Sequence, residues 1–265
     1  TSTAKTAMTF WEHLDELRSS LVRMIIAALV CAIVAFCFKD ALFGVILAPQ
    51  NPDFITYRLL QRIAECFSGA GEGGDMLPLG VRLINTGLAQ QFLLHVKTSA
   101  YVGFMLASPY IIYLLFRFVS PALYDKERRY AVHLVSSGYV MFVLGILLSY
   151  FLIFPLTFRF LGTYQISHVV ENTVTIESYI DTLLMISLSM GIVFEIPVLC
   201  WIMGRMGIIN AGMMRHYRRH VIVALLIIGA IITPTADVFT LLLVSMPMWL
   251  LYELSIFIVA RVRGN

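Results

Sequence analysis

Charge is what this sequence has least of. Only 13% of its 265 residues are Asp, Glu, Lys or Arg, about half the share of a water-soluble domain. A soluble globule is therefore excluded. Cysteines are also few. Cys31, Cys37 and Cys200 lie in apolar runs and Cys66 stands alone in a loop, so no paired spacing supports a disulfide framework or a metal site. Walker A, H-E-x-x-H and G-x-S-x-G motifs are missing, which leaves no signature for ATP hydrolysis or for those two kinds of hydrolase. The alternating pattern of a membrane barrel is missing too. No cofactor and no nucleic-acid partner are expected.

What is present is hydrocarbon. Hydrophobic residues make up 59% of the chain, and several runs approach the roughly 20 residues that cross a bilayer as helix. The expectation is all-α: a polytopic membrane protein of six transmembrane helices, the last two short, around a concave polar groove. The whole chain, 1–265, reads as one integral membrane domain.

Residues 9–20 predict an amphipathic surface helix, with Thr9 and Glu12 as a capping box and Phe10, Leu14 and Leu17 on one face. It runs into a first span over 21–43. Residues 44–92 predict a long extramembrane loop. Within it, 55–67 has helical periodicity, and GAGEGG (69–74) has the letters of a dinucleotide fingerprint without the strand such a site requires. Further spans are expected over 92–118, 130–154 (ended by Pro155) and 179–203. The last two, 221–233 and 238–260, form a hairpin. A polar loop is expected over 156–177.

Thirteen of the 19 Lys and Arg residues fall on the side that carries both ends of the chain, and six on the other. That asymmetry predicts both termini in the cytoplasm and residues 44–92 outside. No cleavable leader is expected, because acidic residues precede the first span.

Two groups of acids stand out. Glu16, Asp125 and Glu127 fall on the cytoplasmic side beside Arg18, Arg128 and Arg129. They either form local salt bridges, which contribute little, or accept guanidinium groups from a partner in bidentate geometry. Glu195 sits inside an apolar span, where a carboxylate costs on the order of 2 to 3.5 kcal/mol. It is either a structural acid bonded to a neighbouring helix or part of a polar groove. Gly191, one turn earlier, is expected to leave room beside it. His216 and His220 are four apart but lack a third metal ligand.

Several motifs taken together resemble the TatC family, the multispanning signal-peptide receptor of twin-arginine protein translocation. They are HLDELR (13–18), FVSPALYDKERR (118–129), FEIP (194–197), TPTADVF (233–239) and MPMWLLYE (246–253). The resemblance implies a non-enzymatic core component of proton-gradient-driven export of folded proteins, in a bacterial-type inner membrane. It implies an oligomeric complex with small single-span TatA and TatB type partners, surrounded by lipid. By matching positions it implies signal-peptide binding by Glu16, Arg18, Phe118, Tyr124 and Glu127, a pocket acid at Glu195, and partner docking near Thr233, Pro234 and Asp237. Leu241 stands where the family usually has glutamine, and the first outer loop is longer than usual. The competing reading is a secondary transporter coupled through Glu195, although no repeat pairs the two halves of the chain.

Overall fold

The computed structural model describes residues 10–68, 82–119, 131–164, 173–233 and 237–263. Among these, five helical stretches are long and apolar enough to cross a membrane. "Inner" below means the end that carries Phe10 and Arg263. "Outer" means the opposite end.

Helix α1 (Phe10–Cys37) joins the amphipathic segment to the first span without a break. It stops earlier than expected: Phe38 leaves helical geometry, and α2 (Lys39–Ile46) starts again at a new angle. A 3-10 turn through Pro49 leads to α3 (Ile55–Ser68). The long α4 (Gln90–Val119) returns inward with Pro109 inside it. Helices α1 and α4 touch closely where a Cβ on Gly103 would stand 2.4 Å from the Ala32 backbone. Small residues allow such approach between helices in lipid.

Helix α5 (Ala131–Leu148) passes into a π-helical segment, Ser149–Ile153, and then into α6 (Phe154–Thr163). Pro155 therefore does not end the helix, and the loop expected over 156–177 begins later. The reason is local. Proline has no N–H, so the Phe151 carbonyl loses its α-helical donor. The Thr56 hydroxyl of α3 donates to that carbonyl instead.

Helix α7 (Ile176–Val193) begins at Thr175, whose hydroxyl accepts from the Ser178 N–H. It packs on α5 where a Cβ on Gly145 would stand 2.5 Å from the Met190 carbonyl oxygen. The fourth span is broken at Phe194 and Glu195 before α8 (Ile196–Arg205). Gly207 then turns the chain at φ 77°. Helix α9 (Ala211–His216) is capped by Asn210, whose side chain accepts from Met213 N–H at 2.7 Å. Tyr217 separates α9 from α10 (Arg218–Ile232), so His216 and His220 do not share one helix. Helix α11 (Val238–Arg263) closes the described chain. With fifteen residues, α10 spans about 22 Å, short of the roughly 30 Å hydrocarbon layer.

One feature has no counterpart in the periodicity. Residues Arg82–Ile84 (β1) pair in parallel with Thr173–Thr175 (β2), a strand pair too short to leave a pattern. The largest core joins α7, α8, α10 and α11 around Met190, Val244 and Met248, all fully buried.

Candidate functional site

The inner mouth is set by α1 and α4. An antiparallel pair in contact at Ala32 and Gly103 brings Glu16 level with about Val119, the last residue of α4. Phe118 is half-buried at that end, Glu16 is half-buried and Arg18 is exposed. The Glu16 Oε2 atom is buried and makes no hydrogen bond. No ion pair joins Glu16 to Arg18 among the described residues. Tyr124, Asp125 and Glu127 lie outside the described residues, as do Arg128 and Arg129.

Glu195 is placed by Pro197. Without an N–H at Pro197, the Val193 carbonyl has no α-helical donor. The chain tightens instead, with Glu195 N–H donating to Ile192 O at 3.1 Å. The side chain leaves this break toward α5 and α4. A Cβ on Gly138 would meet Glu195 Oε2 and Phe116 Cε2 at 3.1 Å and Ile112 Cγ2 at 3.3 Å. Gly138 is thus the residue that makes room for the acid. Gly191 does not: its open side is filled by Phe142, 2.9 Å from a Cβ there. The Glu195 Oε1 atom is buried without a hydrogen-bond partner, so the carboxylate is not tied to a neighbouring helix through it. Next to this point α5, α8 and α11 line an open groove of about 480 Å³. Leu134, Met141, Trp201 and Leu254 line it, with Ser137 as the polar member.

The outer hairpin is held internally. Thr233 is only 3% exposed, and its hydroxyl donates to Gly229 O at 3.0 Å. The Asp237 carboxylate accepts from Thr240 N–H at 2.7 Å, which caps α11. Pro234 lies outside the described residues. Helix α10 leaves Val223, Ile227 and Ile231 open, one apolar stripe at i, i+4 and i+8. At the inner end Arg218 pairs with Glu253 at 2.6 Å, and Tyr252 donates to Met214 O at 2.8 Å.

Sequence reasoning missed Gly138, which lies beside Glu195 and is itself packed by Ile112 and Phe116. Only its proximity in the fold reveals it, since α5 is remote from Glu195 in the chain. No group of three His, Cys, Asp or Glu side chains suited to a metal occurs among the described residues.

Apolar helices long enough to cross a bilayer, with unbonded carboxylate oxygens at the inner mouth and at depth, define a polytopic helical membrane protein. Its family is also clear. The family model described as Sec-independent protein translocase protein (TatC) matches residues 12–247, and the chain belongs to the TatC family. It is 33% identical to the Sec-independent protein translocase protein TatC of Blattabacterium sp. subsp. Periplaneta americana (strain BPLAN), covering 96% of each chain. It is 32% identical to the protein of that name from Escherichia coli (strain K12), covering 92% of this chain and 85% of the relative. A crystal structure described as the twin-arginine translocase receptor TatC superposes with a TM-score of 0.76 at 32% identity. The match covers 95% of this chain and all of that one. The chain is accordingly a multipass inner-membrane component of twin-arginine protein translocation.

Proposed function

We propose that this chain is the receptor for twin-arginine signal peptides and binds them at a cytoplasmic inner mouth. The observation that carries the reading is Glu16, whose buried Oε2 lacks a partner where α1 and α4 end together. A buried carboxylate oxygen left unbonded costs about 1–3 kcal/mol, and a guanidinium arriving from a peptide would recover it. Glu127 supplies the second carboxylate, and Arg18, Phe118 and Tyr124 frame the peptide. Both termini face the cytoplasm, in keeping with the bias of Lys and Arg. The chain acts as a receptor without catalysis, in an oligomeric complex with TatA and TatB type subunits. Those subunits dock on the outer part of the α10–α11 hairpin. The open stripe of α10 provides contact there, while Thr233 and Asp237 shape the turn.

The test is binding of a labelled peptide with consecutive arginines before an apolar run, and of its twin-lysine counterpart, to the reconstituted protein. The arginine peptide should bind at least about tenfold more tightly, since lysine does not reproduce a bidentate fit. Glu16→Ala and Glu127→Ala should each weaken it, and Glu253→Ala should not. Equal binding of the two peptides would overturn the reading.

A further inference from the structure

Helix α3 belongs to the outer loop and has no part in the reading above. At 3.6 residues per turn its surface divides into three sectors. The first packs on the protein: Thr56 and Tyr57 are buried and Leu60 is partly so. The second is apolar and open. Ile55, Leu59 and Ile63 are 65%, 56% and 46% exposed, and Cys66 is exposed in the same stripe. The third is polar and open, with Arg58, Gln61, Arg62 and Glu65. The apolar sector lies between the protein-facing sector and the polar one. A helix lying flat at a membrane boundary, against a protein wall, needs that order.

The level of the helix is fixed by its bonds. The Thr56 hydroxyl donates to the Phe151 carbonyl, and the Tyr57 hydroxyl reaches the carbonyls of Pro155 at 3.2 Å and Pro49 at 3.1 Å. The third span is apolar from Leu134 to Thr163. About 20 of its residues fill the hydrocarbon layer, so counting from Leu134 the layer ends near Phe154. The anchors of α3 sit at that boundary. Phe54, just before α3, stacks on Phe151 with centroids 5.7 Å apart. Phe151 and Leu152 are themselves open apolar residues of the span, so the stripe continues a lipid-facing surface.

We propose that α3 is an interfacial anchor. Its Ile55–Leu59–Ile63 stripe is buried in the outer leaflet of the bilayer that the spans cross, and Arg58 and Arg62 lie at headgroup level. The occupant of the stripe is lipid.

The experiment uses the full chain in phosphatidylcholine–phosphatidylglycerol vesicles, with nitroxides attached one at a time to cysteines. Cys31, Cys37 and Cys200 are replaced by serine. Native Cys66 is the first probe and leaves α3 unaltered. Leu59→Cys and Gln61→Cys, each with Cys66→Ser, are the others. Collisions with oxygen, which concentrates in lipid, are compared with collisions with a water-soluble nickel chelate. The oxygen-to-chelate ratio at Cys66 and Leu59→Cys should be several times that at Gln61→Cys. A ratio equal to that at Gln61→Cys would place the stripe in water. Low collision with both reagents would place it against protein, such as a second copy of the chain. Either result overturns the proposal.

Discussion

The outer and inner ends of this molecule differ in how fully their carboxylates are bonded. At the outer end acids are paired. Lys97 holds Asp181 at 2.6 Å, Gln90 donates to Glu177, and Arg58 holds Asp53 at 3.4 Å. Hydroxyls of Thr56, Tyr57, Tyr150 and Tyr179 donate to carbonyls of other elements. Going inward, carboxylate oxygens are left over: Glu16 Oε2, Glu195 Oε1 and Glu253 Oε1 are each buried without a hydrogen bond, although the other oxygen of Glu253 pairs with Arg218. A buried polar group that is satisfied rigidifies its surroundings, whereas one that is not remains ready for a partner. The bonds at the outer end clamp the spans together, and the unbonded carboxylate oxygens of the inner half are what the proposed peptide site draws on.

The largest expected effect falls on the clamp. The double variant Thr56→Val, Tyr57→Phe removes the hydroxyls that reach Phe151 O, Pro49 O and Pro155 O, and leaves buried carbonyls unpaired. At about 1–3 kcal/mol for each group left unsatisfied, stability should fall by about 2–5 kcal/mol, read as a lower unfolding midpoint in detergent. Binding of a twin-arginine peptide to the folded fraction should stay within about twofold, because the two sites share no residue. An equal loss of binding would break the separation of the two ends.

A smaller effect should follow alkali. Burial pushes the Tyr57 phenol up to about 12, with the Arg159 guanidinium pulling it part of the way back. A phenol whose pKa is higher folded than unfolded keeps its proton in the folded state. Its contribution is complete below about pH 10, the ordinary tyrosine value, and is lost as pH rises through 12. Two pKa units correspond to about 2.7 kcal/mol. Unfolding of the wild-type chain should therefore steepen with pH between about 10 and 12 more than that of Tyr57→Phe. Parallel curves would mean that Tyr57 carries no share of the clamp.

The two ends were also unequally legible. Five of the six expected spans, α3 and the acid at Glu195 could be read because apolar runs and helical periods are local properties of the chain. Pro155 misled for a physical reason. Its effect on α5 depends on Thr56, a residue of another element that donates to the orphaned Phe151 carbonyl. Pro109 and Pro247 likewise lie inside continuous helices, so proline alone does not set a helix end. At Pro197 the helix does break, between Val193 and Ile196. Likewise Gly191 was the near neighbour of Glu195 in sequence, but Gly138 is its neighbour in space. Pairings such as Lys97 with Asp181 leave no periodic trace. Candidate site residues at the inner mouth were legible through motifs, and Glu16 then proved to carry an unbonded oxygen that no motif announces.

The smallest expected change in stability belongs to Glu195, and it is the one that most sharpens the comparison. A carboxylate with Oε2 beside Gly138 and Oε1 buried without a hydrogen bond opposes folding if it serves nothing else. Glu195→Gln keeps the shape and removes the charge, so the unfolding midpoint should hold or correspond to a gain of about 1 kcal/mol. Peptide binding at the inner mouth should be unaltered, since Glu16 and the end of α4 are untouched. Transport of a folded cargo by vesicles that carry the whole translocation complex should fall, because the ionisable group at depth is then lost. If transport instead persisted while stability rose, Glu195 would be a passive defect. Receptivity would then be confined to the mouth, and depth would no longer distinguish the inner half from the outer clamp.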